Sequence, residues 1–231
     1  MALPFKRKQR LPRKWAVTLS AVELCTQNAE RLLLDASKTS TPTAAALAEL
    51  SIEEAAKGWM LYFRLLLQGR NTKVPLRMSS KEFKAAGEFL ASKVDYLRGI
   101  DDEILLAFKW HRVKLRFLAF LLEYLELTLP LLAKRDRVLR LAQELQGPAF
   151  EVKETFGTPD IDGLMKLIRS FRRDHLTELD EIKQHGLYVN LSDSGGDLVS
   201  PDIQPLPAPL LAGLAAFLIA ALKGDLLLLT K

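Results

Sequence analysis

Stepping by three or four residues through residues 43–67 picks out Leu47, Leu50, Glu54, Gly58, Leu61 and Leu65, a helical stripe that is apolar except for one carboxylate at its centre. The same stepping through residues 102–129 gives Ile104, Phe108, His111, Leu115, Leu118 and Leu122, with an imidazole in the middle of the apolar face. Shorter stripes predict helices over residues 13–36 (Trp15, Leu19, Val22, Ala29, Leu32, Leu33), 81–97 (Phe83, Ala86, Leu90, Val94, Leu97) and 134–145. A sixth covers residues 161–182, through Ile161, Leu164, Ile168, Phe171, His175, Leu179 and Ile182, and a last one covers residues 210–222.

Boundary residues agree with this division. Thr41 followed by Pro42 is a cap and first-turn pair, Asp101 caps the long fourth segment, Pro130 stops it, and Gly186 stands just past the end of the sixth. Residues 146–162 and 192–209 are rich in glycine and proline and read as connections. No alternating pattern of useful length and no fixed-period repeat is present. The expected architecture is all-α, a single helical bundle of about six or seven helices.

Length and composition refine that picture. A chain of 231 residues with 48 % hydrophobic and 26 % charged residues is enough for one large helical core. The net charge of +5 is concentrated in Lys6, Arg7, Lys8, Arg10, Arg13 and Lys14, so residues 1–14 are expected to form a basic arm ahead of a helical domain over residues 15–231. One cysteine, Cys25, excludes an internal disulfide and fits a reducing, cytoplasmic setting. His111, His175 and His185 have no cysteines near them in the chain, so no metal and no cofactor is called for. Residues 206–222 carry no charge, yet the uninterrupted helical part falls short of the roughly 20 residues a bilayer span needs. A buried last helix is expected, not a membrane anchor.

The candidate chemistry starts from the two long stripes. An unpaired charge inside a bundle costs roughly 3–5 kcal/mol, so Glu54, Lys57, His111 and Lys114 are expected to meet there. Such a cluster admits three uses. It can fix the register of two apolar helices; it can act catalytically, with His111 moving protons, a lysine stabilising an oxyanion and Glu54 orienting the imidazole; or its lysines can grip a phosphate or a partner carboxylate. No glycine-rich phosphate loop, nucleophile elbow or paired-histidine metal motif is present. Both principal helices are apolar around most of their circumference, which makes a homodimer the expected assembly.

Three motifs carry a family resemblance: Glu53-Glu54-Ala55-Ala56-Lys57 in the second helix, His111-Arg112-Val113-Lys114 in the fourth, and Gly186-Leu187-Tyr188-Val189-Asn190 before the apolar final helix. In order and spacing they resemble the AbiV-type abortive-infection proteins of the HEPN-like helical group. Tyr188 and Asn190 are the family-motif residues of the third, with Asn190 in place of a more usual aspartate. The resemblance implies an antiphage defence protein that blocks phage multiplication by interfering with translation or RNA. It implies RNA, the translation machinery or a phage protein activator as partner. It also admits a non-catalytic interaction module or a metal-independent RNase of the kind that uses an arginine followed by a histidine. Arg169 and His175 have that spacing, and Arg172, one turn before His175, is the better-placed partner, because Arg169 would point about 120° away from His175 on a continuous helix. In an RNA-directed reading, Lys6, Arg7, Lys8, Arg10, Arg172 and Arg173 would hold the phosphate backbone.

Overall fold

Thr18 decides where the first helix starts. It is extended (φ −105°, ψ 155°) and its hydroxyl accepts from the Ala21 N–H, so α1 runs Leu19–Ala36 and does not begin at residue 13 as the stripe through Trp15 suggested. A threonine that satisfies one of the orphan N–H groups of the first turn fixes a helix start more firmly than apolar spacing does. The computed structural model describes residues 18–39, 41–68, 88–89, 92–93, 111–128, 135–146, 161–172, 179, 190–191, 198–199 and 208–229. Among these, the remaining elements are α2 (Thr41–Gln68), α3 (His111–Thr128), α4 (Arg135–Gln146), α5 (Ile161–Ser170), β1 (Asn190–Leu191), β2 (Leu198–Val199) and α6 (Ala208–Leu229). The two short strands pair antiparallel, Asn190 with Val199 and Leu191 with Leu198. The fold is all-α, with that pairing a minor ornament.

α2 and α6 form the centre. α2 packs along α1 and α6, α4 lies on α6, α1 also touches α6 and α4, and α3 bridges α2 and α5. Small side chains allow the close approach: Ala44, Ala45, Ala48, Ala55 and Ala56 on α2, Ala29 and Ala36 on α1, and Ala212, Ala215, Ala216 and Ala220 on α6 share one buried core. Gly58 is the tightest point. A β-carbon there would lie 2.8 Å from Leu222 Cδ2 and 3.5 Å from the Cys25 β-carbon, so glycine is what lets α1 and α6 converge on α2. Two buried hydrogen bonds lock the same helices, Ser51 Oγ to the Ala29 carbonyl at 2.7 Å and Trp59 Nε1 to the Leu218 carbonyl at 3.0 Å. Around Trp59, the rings of Tyr62, Phe63, Phe89, Phe117, Phe120 and Tyr124 pack mostly edge to face, joining α2 to α3 and to the helical residues Glu88 and Phe89.

α6 is longer than expected. It continues through Lys223 and Gly224 to Leu229, where the sequence suggested an end at residue 222. Lys223 sits inside the helix with its ammonium paired with Glu30 on α1, and Gly224 gives α4 room, since a β-carbon there would stand 3.1 Å from Val138 Cγ2. From Leu214 to Leu222 every side chain of α6 is buried, as a helix apolar all round requires. Among the described residues no helix is long and apolar enough to cross a membrane.

Candidate functional site

The two long helices are joined by an ion pair, through a carboxylate that the stripes did not indicate. Lys57 reaches back one turn to Glu54 on α2, whereas Lys114 on α3 crosses to Glu53. Glu53 is 5 % exposed, and Glu49, one turn earlier on the same side of α2, is fully enclosed. α2 therefore carries two buried carboxylates a turn apart, and an ammonium from the neighbouring helix is set against one of them. Apolar spacing singled out Glu54, yet Glu53 makes the interhelical contact. The signal for it was the adjacent position in the Glu53-Glu54 pair, 100° further round the helix and toward α3.

Lys57 and Lys114 are both largely enclosed and both neutralised by a carboxylate. Held in this way, neither ammonium faces solvent as a ready phosphate or oxyanion contact. His111 is the first described residue of α3, three residues before Lys114, and its side chain lies outside what is described. The other face of Glu54 and Lys57 looks toward α1. There burial pushes the Cys25 thiol up to about 11, with the Glu54 charge adding to the shift and Lys57 opposing it. Cys25 is a protonated core residue and not a nucleophile.

A second charged site joins α3 to α5. Arg169 Nε donates to Glu126 Oε1 at 2.8 Å, and Arg172 Nη1 lies 2.8 Å from Glu126 Oε2. One carboxylate thus takes a guanidinium on each oxygen. Arg169 and Arg172 are neighbours at three-residue spacing, and a wider π-type turn at Phe171 and Arg172 follows the regular helix. At those two residues the chain departs from the uniform 100° per residue assumed for a continuous sixth helix. Phe171 anchors the turn in the core while Arg169 and Arg172 stay 60 % and 42 % exposed. Glu126 was missed from the sequence; it stands in the apolar run of the fourth segment, where a carboxylate needs a partner as much as Glu54 does.

His175, Arg173 and Tyr188, with Lys6, Arg7, Lys8 and Arg10 of the basic arm, lie outside the described residues, and Asn190 is placed by its backbone in β1. Among the described residues no group of three histidine, cysteine or acidic side chains is arranged to hold a metal ion.

Compared with known proteins, the chain matches the HEPN_AbiV family, described as AbiV, over residues 18–204. That stretch holds both charged sites and all of α1 to α5. No curated protein and no solved structure matches.

Proposed function

The chain belongs to the AbiV family of HEPN proteins, and from that premise we propose that it is an abortive-infection protein that blocks phage multiplication by binding RNA or the translation machinery. One observation carries the reading: of the two charged sites, the one at α2 and α3 seals its lysines against carboxylates, whereas the one at α3 and the end of α5 leaves Arg169 and Arg172 solvent-accessible. Enclosed, neutralised lysines fit the register-fixing use of a buried ion-pair network. Accessible guanidiniums fit phosphate contacts, in which arginine offers a planar fork of donors. The basic arm, with Lys6, Arg7, Lys8 and Arg10, would add affinity that weakens as salt rises. In this reading the protein works in the cytoplasm, as a homodimer, with a phage protein as its activator.

A second reading, a metal-independent RNase, draws on the same helix. Arg169 is fixed by Glu126 six residues before His175, and a histidine that moves protons beside an arginine that neutralises the phosphorane is sufficient for attack by a ribose 2′-hydroxyl. Induced expression with measurement of growth arrest and cellular RNA integrity separates the two, using wild type, His111→Ala and His175→Ala variants of verified fold. Arrest with intact RNA supports the binding reading. Arrest with RNA cleavage that one histidine variant abolishes overturns it in favour of the RNase.

A further inference from the structure

The contact between α3 and α5 has an unusual stoichiometry: one carboxylate, Glu126, serves two guanidiniums. Each guanidinium carries five N–H donors, far more than one carboxylate oxygen can take up, so the pair can accept a further anion or exchange the one it has. Burial is also unequal. The arginines are open to solvent, whereas Glu126 is 21 % exposed and its Oε2 is wholly covered. An anion arriving from solvent meets the arginines first.

Resting on the reading that α5 engages RNA, we propose that Glu126 is a built-in anion that occupies the Arg169–Arg172 pair until a phosphodiester of single-stranded RNA displaces it, releasing α5 from α3. The contact is suited to exchange. Ion pairs with exposed partners are weak and screened by salt, while an RNA strand brings several phosphates and gains from the release of its own counterions. Phosphate can take the place of carboxylate on the same guanidinium donors, with bidentate geometry available to both. Displacement must also return Glu126 Oε2 to water and break the bridge to α3, so Glu126 competes against RNA. Removing its charge should therefore tighten binding, the reverse of what loss of a mere scaffold contact would do. The same competition makes α5 the moving part: the bridge to Glu126 is replaced by a bridge to the strand, and RNA binding is read out as loosening of α5.

The test is fluorescence anisotropy of a labelled, mixed-sequence single-stranded RNA with the full chain, titrated at several salt concentrations. Wild type is compared with Glu126→Gln, Arg172→Gln and the two combined. Glu126→Gln is expected to bind about two- to thirty-fold more tightly than wild type, the equivalent of two exposed ion pairs no longer competing, and adding Arg172→Gln is expected to erase the gain. If Glu126→Gln binds no more tightly than wild type while Arg172→Gln weakens binding, RNA recognition at α5 stands and the displacement proposal falls. If wild type and Arg172→Gln bind equally, or neither binds, RNA recognition at α5 falls and takes this proposal with it. Should Glu126→Gln fail to fold, Glu126→Asp keeps the charge on a stem one methylene shorter; binding intermediate between wild type and the expected gain supports displacement, and binding no tighter than wild type overturns it.

Discussion

Lys114→Met removes one half of an ion pair that joins α2 to α3 and takes the Lys114 ammonium away from Glu53, which is 5 % exposed. Breaking a buried pair by deleting one partner costs about 3–5 kcal/mol, because the remaining charge is held away from water. For a chain of 231 residues each kcal/mol lowers the thermal midpoint by about 2–4 °C, so the variant should melt roughly 6–20 °C below wild type. Glu53→Met alone should cost less than Lys114→Met, since an ammonium on a long flexible stem can reach water more readily than a short carboxylate stem can. The double variant, Glu53→Met with Lys114→Met, replaces two charges by two apolar chains of similar volume and should return to within about 2 kcal/mol of wild type. Circular-dichroism melts and urea titrations of the four proteins close a double-mutant cycle, with a coupling energy of at least about 2 kcal/mol expected. A Lys114→Met variant within about 1 kcal/mol of wild type, or a double variant that loses the sum of the singles, would refute the assignment of this pair as the register-fixing contact.

Other perturbations probe the packing and the thiol. Gly58→Ala should gain about 1 kcal/mol of helix propensity and lose about 1–3 kcal/mol to the overlap with Leu222 Cδ2 at 2.8 Å; chemical denaturation should show a net loss of up to about 2 kcal/mol, and a net gain would mean that α6 does not approach α2 this closely. Trp59→Phe deletes the hydrogen bond to the Leu218 carbonyl and part of the aromatic cluster, and should destabilise by about 2–3 kcal/mol, with a change below about 0.5 kcal/mol counting against the tie. The Cys25 pKa is raised, from 9.0 to about 11, so the folded state holds its proton more tightly than the unfolded chain does. Its stabilising share is complete below about pH 9 and is lost as pH rises toward 11. Comparing wild type with Cys25→Ala across that window should show a steeper decline for wild type, and parallel curves would contradict the assigned burial.

The long elements were legible because their apolar stripes and boundary residues agree. Residues 43–67 became Thr41–Gln68, and residues 134–145 became Arg135–Gln146. Periodicity was less informative where a helix is buried on nearly all sides. α2 encloses Glu49, Ser51 and Glu53 as fully as its alanines, so no single stripe could say which carboxylate faces α3. The end of α6 escaped for a related reason: Lys223 looked like a terminator in the sequence and is instead paired with Glu30, nearly two hundred residues earlier in the chain. Glu126 and its two arginines were each visible as residues, but the carboxylate that joins them lies 43 positions before Arg169, a separation at which spacing carries no information. His111 and the motif around Lys57 lie on α3 and α2, within the residues that the family match covers. Pairing within that region depended on how the helices are rotated against each other, which only tertiary packing sets.

Under the proposed function Arg169 and Arg172, and not the enclosed lysines at α2 and α3, act on the infected cell. Counting plaques on a phage-sensitive bacterial host that expresses the full chain tests it most directly, because infection supplies any activator. Wild type should depress plaque formation, and an Arg169→Gln, Arg172→Gln double variant of unchanged thermal midpoint should restore it. A double variant that protects as well as wild type, or a wild type that gives no protection, would contradict the account.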